Sequence, residues 1–372
     1  MKRRTKVVHL TEDMGVGGQE KIIATLAESL DRRRFEAEVW CLARGGALAE
    51  AVRRSGIRVR VLKLASYHDP LNVLRLAWQL RRAGADIVHT HGDFAGTFGR
   101  LSAILAGKRK IVAHVHTTDP GLCRRHIRVQ RLLAPFTRSV VCVSQAVQQF
   151  VTRRIGLPAE KCRVVYNGVP AQAESRLCPP GRDKTREGLL AVSVGSLVDN
   201  KGHRVLIDAF RHALAFRPDL RLLIVGDGPL RAELERRAAD SDLTSSIGFA
   251  GCLADVHPVL RRADMLIQPT LHREALSLSL IEAAQHGLPA VASRLGGIPE
   301  VVAHGRTGLL VPPGDSEALA GAMLALATDP GLRARLGETA RSEYEERFRA
   351  ERMVAEIDSL YTSLFMDGRF AT

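Results

Sequence analysis

Short apolar runs alternate with amphipathic segments along almost the whole chain. The runs Lys6 to Leu10, about Glu38 to Leu42, Val59 to Leu64, Asp86 to His91, Lys110 to His116, Val140 to Ser144 and Arg163 to Tyr166 have the length of strands buried on both faces of a parallel sheet. Between them, Gln19 to Leu30 sets Ile22, Ile23, Leu26 and Leu30 at helical spacing, and Leu71 to Ala83 and Ala95 to Leu105 read as further helices. Strand and helix in regular alternation predict a doubly wound α/β fold.

The pattern breaks from Ala171 to Gly188, where periodicity is lost and Pro-Pro-Gly appears. That is linker composition. Beyond it the alternation resumes. Leu190 to Val194 predicts a strand, and Val205, Leu206, Ala209, Phe210, Ala213 and Leu214 share one face of a helix. Leu222 to Val225, Met265 to Ile267 and Ala290 to Ser293 are further strands, and Asp315 and Asp329-Pro330 are helix starts. A last amphipathic helix, Ala350 to Phe365, carries Met353, Ile357, Leu360, Tyr361 and Leu364. The expected division is a first domain over residues 1–172, a linker over 173–188 and a second domain over 189–349. No repeat of solenoid period is present.

Composition narrows the class. With 372 residues, 45% of them hydrophobic, the chain can bury two ordinary cores. Six cysteines without paired short spacings indicate neither a disulfide frame nor a zinc ribbon, and the N-terminal apolar run is too short for a signal peptide. The expectation is a cytoplasmic protein without a membrane span. A net charge of +14, concentrated early at residues such as Arg53, Arg54, Lys108, Arg109, Arg124 and Arg125, fits either a solvated surface or a face for an anionic partner. Nucleic acid is disfavoured, because only 5% of residues are aromatic and no recognition module is visible.

Chemistry concentrates between Asp264 and Glu300. There a short apolar strand leads through a loop into a helix that Ser277 can cap and Gly287 can end, followed by another strand. A loop in that place lies at the carboxyl edge of a parallel sheet, where open α/β folds bind ligands and free helix amides attract phosphate. Glu274 in the loop and Glu282 one turn into the helix can turn toward one crevice and accept hydrogen bonds from sugar hydroxyls. Earlier, Gly15-Val16-Gly17-Gly18 follows the first strand without the third glycine or the acidic residue of a dinucleotide fingerprint, which disfavours a nicotinamide cofactor. Lys201 stands just before a helix, where its ammonium can meet negative charge building on a leaving group.

Glu274, seven intervening residues, Glu282, His286-Gly287-Leu288-Pro289, Gly296-Gly297 and Pro299-Glu300 together resemble the donor site of the family-4 retaining glycosyltransferases of GT-B fold. The resemblance spans nearly the full chain and is sharpest from Gly195 to Pro313. It implies two Rossmann-like domains facing across a cleft, with residues 350–372 crossing back onto the first. A simple C-terminal helix on the second domain is the alternative. It further implies a nucleoside diphosphate sugar as donor, a sugar or lipid-linked acceptor hydroxyl, retention of anomeric configuration and no metal. By resemblance, Gly17 and Gly18 face the donor diphosphate, although a plain tight turn competes. Lys201 and the amides near Leu276, Ser277 and Leu278 hold the diphosphate, with Gly226 at another close turn of the same edge. Backbone around Gly248 and Phe249 meets the base, Glu282 the ribose, Glu274 the sugar and His116 the opposite wall. Lys201, Glu274 and His116 are the catalytic candidates.

One departure stands out. Ser196 occupies a position where the resembled family usually has an arginine, so one phosphate-binding cation is missing unless His203 or Arg204 replaces it. The pairs His89/His91 and His114/His116 invite a zinc reading, which is set aside because no glutamate accompanies them and both pairs fit the family pattern. Asp240-Ser241-Asp242 has the spacing of a metal-binding pair but ends a helix away from the binding edge. The expected function is glycosyl transfer in polysaccharide or glycolipid synthesis, with an anionic membrane surface as a possible partner. A sugar-nucleotide epimerase on the same architecture and a basic nucleic-acid-binding protein are the competing readings.

Overall fold

Two all-parallel sheets carry the protein, of seven strands and six. The structure, a computed structural model, describes residues 3–64, 69–118, 123–172 and 188–366. Residues 173–187, nearly all of the predicted linker, and Cys178 with them, lie outside the described residues. The chain divides into two compact units: residues 1–170 with 350–372, and residues 171–349.

The first unit runs β1 (Thr5–Thr11), α1 (Gly18–Ser29), β2 (Phe35–Cys41), α2 (Ala47–Arg54), β3 (Arg58–Val61), α3 (Pro70–Arg82), β4 (Ile87–His91), α4 (Gly92–Leu105), β5 (Ile111–Val115), α5 (Arg124–Leu133), β6 (Ser139–Cys142), α6 (Gln145–Gln149) and β7 (Cys162–Val164). Its sheet order is β3-β2-β1-β4-β5-β6-β7. Side chains alternate across β1. Val8 and Leu10 enter a core with Trp40, Leu76, Val88, Phe98 and Ile111. Val39, the partner of His9, and Cys41 pack on the other side with Ile23, Ala27 and Val52.

β2 begins at Phe35, three residues before the apolar run suggests. The early part is disguised by Glu36 and Glu38, which Lys6 of β1 neutralises at 3.1 Å each. Glu38 is buried and also accepts the Trp40 indole N–H at 2.8 Å. A charge in a strand is tolerable when the neighbouring strand supplies its partner, and sequence spacing does not reveal that neighbour.

The second unit runs β8 (Leu189–Val194), α7 (His203–Phe216), β9 (Leu220–Val225), α8 (Arg231–Asp240), β10 (Ile247–Gly251), α9 (His257–Arg262), β11 (Met265–Gln268), α10 (Leu278–Gln285), β12 (Ala290–Ser293), β13 (Gly308–Val311), α11 (Ser316–Thr328) and α12 (Pro330–Arg347). Its sheet order is β10-β9-β8-β11-β12-β13. Leu206, Phe210, Ile224, Ile267, Met323 and Leu326 belong to one continuous core. Asp315 and Asp329 cap α11 and α12 by accepting the amides of Ala318 and Leu332, each at 2.8 Å. Asp240 ends α8, and Asp242 takes a left-handed φ of 56° just after it.

The last helix, α13 (Ala350–Ser363), packs within the first unit. The Ala350 amide donates to the Val169 carbonyl at 3.1 Å, and the Gly168 amide reaches the Met353 sulfur at 3.3 Å. Arg34 clasps Asp358 at 2.7 Å, Phe35 meets Tyr361 edge-on at 5.7 Å, and the Tyr361 hydroxyl lies 2.6 Å from His89 Nδ1. Met353, Ile357, Leu360 and Tyr361 are all buried, the face predicted from their spacing. Among the described residues no helix is long and apolar enough to cross a membrane.

Tyr361→Phe keeps the ring in place and removes only the hydroxyl that serves buried His89. We expect it to lower the unfolding free energy of the first unit by about 1–3 kcal/mol, the usual cost of orphaning a buried polar group. Urea unfolding followed by tryptophan fluorescence, with Trp40 buried in this unit, checks it. An unchanged midpoint would remove that bond from the forces holding α13.

Candidate active site

In the second sheet the strand order turns back between β8 and β11. At such a point the connections from two adjacent strands leave in opposite directions and open a crevice at their carboxyl ends. The loop after β8 carries Lys201, and the loop after β11 carries Glu274.

Backbone contacts pin these loops together. The Asn200 carbonyl accepts both the Leu271 amide and the Thr270 hydroxyl, each at 2.8 Å. Gly202, at φ 71°, lies so close to β11 that a Cβ there would fall 2.0 Å from the Pro269 carbonyl oxygen. On the far side, Gly296 has φ 60°, and a Cβ would fall 2.3 Å from the Glu274 carbonyl oxygen, which also accepts the Gly297 amide at 2.8 Å. Neither position admits a side chain. Three loops therefore converge, and the Lys201 ammonium ion-pairs with the Glu274 carboxylate. The two side chains are 29% and 15% exposed, so the pair is partly shielded yet reachable.

Beside this pair α10 begins. Ser277 caps it, accepting the Leu280 amide at 3.4 Å and donating to Gln268 at the end of β11 at 2.6 Å. Ser279 bonds the same Gln268 oxygen at 3.1 Å, which fixes the first turn against the strand. Leu276 is buried before the cap and Leu278 is half-buried as the first helical residue. The first-turn amides and the helix dipole make this end attractive to an anion. Glu282 lies one turn further in and is 5% exposed.

Gly226, just past β9, bridges Gly251 at the end of β10, and a Cβ on it would collide with the Gly195 carbonyl. Gly248 and Phe249 lie inside edge strand β10, paired with Leu223 and Ile224 of β9, and the Phe249 ring packs half-buried on the core.

Neither candidate substitute for the cation absent at Ser196 supplies one. His203 is buried, and burial followed by the nearby Lys201 charge pushes it down to about 4, so it is neutral at pH 7. Arg204 is engaged by Glu233, at 2.5 and 2.7 Å, and by Asp199. Lys201 thus carries the positive charge assigned to this loop.

In the first unit, Gly17 caps α1 and Gly18 opens it. The space above Gly17 is filled by Glu20, whose carboxylate lies 2.2 Å from where a Cβ would stand, and burial raises the Glu20 pKa. The turn therefore brings its own anion to the helix start.

At the other switch point, between β1 and β4, five imidazoles meet on one sheet face. Register pairs His9 with His89 and His91 with His114, and His116 follows β5. His9 Nδ1 lies 3.0 Å from His91 Nε2, and His91 Nδ1 lies 3.2 Å from His116 Nε2. Burial holds all five low: His9 is pushed down to about 4 and His116 to about 3, with His89, His91 and His114 well below the usual value. Among the described residues, Nε2 of His9, Nε2 of His89 and both ring nitrogens of His114 have no hydrogen-bond partner. Four predicted members of the group came from their i, i+2 pairs. His9 is a lone histidine in an apolar run, and only strand pairing adds it. His257 and His286 are likewise joined only in space, at 2.9 Å.

With the geometry in place, comparison with known proteins identifies the class. Residues 16–173 match the family described as Glycosyltransferase Family 4, and residues 189–329 match Glycosyl transferases group 1. The amylovoran biosynthesis glycosyltransferase AmsK of Erwinia amylovora is 30% identical over 299 residues, covering 73% of this chain and 70% of its own. D-inositol 3-phosphate glycosyltransferase of Streptomyces avermitilis is 28% identical over 411 residues, covering 98% and 87%. Among solved structures, Anabaena HepE in complex with UDP and glucose superposes with a TM-score of 0.85 at 24% identity, over 97% of this chain and 100% of that one. The fold is that of a GT-B glycosyltransferase. The chain belongs to the group 1, family 4 glycosyltransferases and is an enzyme of that class.

His203 and His286 are buried and neutral in the folded second unit, each near 4 against an ordinary 6.5. Unfolding frees them to bind protons, so their contribution is complete above pH 6.5 and is lost as the pH falls toward 4. Each corresponds to about 3 kcal/mol across that window. Urea midpoints of the second unit measured from pH 7.5 to 4.5 should fall, and His286→Asn should flatten the slope. A variant slope equal to the parent's would show that His286 does not titrate there.

Proposed function

We propose that the protein transfers a glycosyl group from a nucleoside diphosphate sugar to an acceptor hydroxyl, with retention of anomeric configuration, in polysaccharide or glycolipid assembly. The observation that carries this reading is the Lys201–Glu274 ion pair at the β8/β11 switch point, beside the capped start of α10. In the transition state positive charge develops on the sugar and negative charge on the departing diphosphate. Lys201 turns from Glu274 to the diphosphate, joined by the amides near Leu276 to Leu278 and the dipole of α10. Glu274, so released, accepts hydrogen bonds from the sugar hydroxyls, and Glu282 from the ribose. The departing phosphate oxygen takes the acceptor's proton, so no separate base is required. The reading needs no divalent metal at the diphosphate, because protein groups balance its charge. HepE, solved with UDP and glucose, supports a nucleotide sugar as donor.

The first unit admits the acceptor and docks on anionic lipid. Leu105, Leu132 and Phe136 are each more than half exposed, and Lys108 and Arg109 line the same groove as Phe136, with Arg124, Arg125 and Arg128 exposed on α5. Apolar side chains among cations suit the interface of an anionic bilayer. Sedimentation with vesicles should show binding to phosphatidylglycerol at low salt and little to phosphatidylcholine. Equal binding to both would refute the lipid docking.

Lys201→Ala should reduce turnover by about 100- to 1000-fold, the scale of removing one preorganised group from a developing charge. The core is untouched, so the melting temperature should move only a few degrees. Glu282→Gln should chiefly weaken nucleotide binding. Unaltered turnover in the lysine variant would take Lys201 out of its assigned role.

A further inference from the structure

A cavity of about 480 Å³ opens at the amino edge of the first sheet, where the chain enters β5, β6 and β7. The five residues of β5 separate that edge from His116, about 16 Å at about 3.3 Å per residue, so the cavity stands apart from the edge that carries the histidines. Lys108, Arg109, Arg138 and Lys161 line it, and among the described residues no carboxylate does. We propose that this cavity binds a phosphomonoester group, the dianionic phosphate of a small phosphorylated compound or of a lipid headgroup. In the second case it rests on the lipid docking proposed above and adds selectivity to it, since docking needs only charge and a pocket can choose among anions.

Three observations support it. First, part of the positive charge is fixed in place before any ligand arrives. The Lys161 ammonium donates to the carbonyls of Ala134, Thr137 and Pro135 at 2.8, 3.1 and 3.3 Å, which uses its three protons and leaves it as a stationary charge in the wall. Lys108 and Arg109 follow the turn at Gly107, φ 71°, and supply movable donors. Burial pulls the Lys108 ammonium below its ordinary range; Asp86 opposes that and Arg81 adds to it.

Second, a buried charge behind the wall lacks a counter-ion. Thr137 lines the cavity, and its hydroxyl accepts Arg100 Nη1 at 3.1 Å. Arg100 is 1% exposed, and its other hydrogen-bond partners, the Gly96 carbonyl and the Gln130 side chain, are uncharged. Burial lowers it to about 10 while Asp93 acts on it through space, so it stays protonated at pH 7. A guanidinium buried among neutral acceptors is costly, and an anion in the cavity would balance it across a single side chain.

Third, the shape suits a phosphate on an organic body. The volume lies within the range of about 300–1000 Å³ usual for small-molecule sites. Phe136, 57% exposed, and half-buried Ile104 give it an apolar side for the rest of the ligand. Lysine and arginine together favour a monoester over a diester, because the monoester carries up to twice the charge and presents three terminal oxygens.

Two measurements on the full chain test this. Millimolar glycerol 3-phosphate should raise the melting temperature by several degrees. Vesicles of phosphatidylcholine with phosphatidic acid should bind about 5- to 10-fold more tightly than vesicles with phosphatidylglycerol of the same surface charge. Lys108→Gln/Arg109→Gln should abolish both effects while melting like the parent in phosphate-free buffer. Arg124→Gln/Arg125→Gln removes the same charge from α5 and should weaken binding to both vesicles while keeping the preference and the shift. A melting shift without any vesicle binding would assign the site to a soluble phosphate compound and refute the lipid docking alone. Equal binding to both vesicles with no melting shift would leave the docking standing and overturn the phosphomonoester site. Survival of either effect in the Lys108/Arg109 variant would overturn it too.

Discussion

The second unit depends on how closely its backbone segments approach at the carboxyl edge of the sheet. The Asn200 carbonyl holds two donors from the loop after β11, and Gly202 presses on Pro269 where any side chain would collide. Those contacts bring the Lys201 ammonium against the Glu274 carboxylate, and Gly296 closes on Glu274 from behind. In the reaction proposed above, an ammonium already confined to this crevice starts close to where the charge of the diphosphate develops.

Such economy matters because the loop has no second cation to offer. Ser196 is exposed and uncharged, His203 is kept neutral by burial, and Arg204 is committed to Glu233 and Asp199. In that proposal the remaining stabilisation of a diphosphate falls to the start of α10, whose cap is itself clamped to β11 through Gln268. Amides and dipole act there without a counter-anion, so they are not lost to internal pairing as an arginine would be.

The two sheets use the same kind of topological position differently. In the second unit it gathers oppositely charged side chains, and in the first it gathers imidazoles under α13, with Tyr361 against His89. Burial keeps those rings neutral, and an uncharged imidazole offers a lone pair as well as a donor. The helix that covers them comes from the far end of the chain, so the first unit is complete only once the second has been synthesised.

Much of this was legible in the sequence. Apolar runs separated by amphipathic segments identified most strands, because a strand buried on both faces must be apolar throughout; Ala290–Ser293 agrees to the residue. The caps at Ser277, Asp315 and Asp329 were readable because a helix start needs a local side-chain acceptor. The spacing of Glu274 and Glu282 singled out the loop after β11 and the start of α10, though not the ion pair that joins Glu274 to Lys201. Other features escaped it. Nothing local announced that β2 begins at Phe35, that Lys6 neutralises Glu38, that His9 joins four distant histidines, or that Arg204 is already engaged. Local sequence determined the elements, since periodicity and capping act within a few residues. Only the tertiary structure decided which charges and lone pairs meet, since strand register and loop packing bring together residues that share no neighbourhood in the chain.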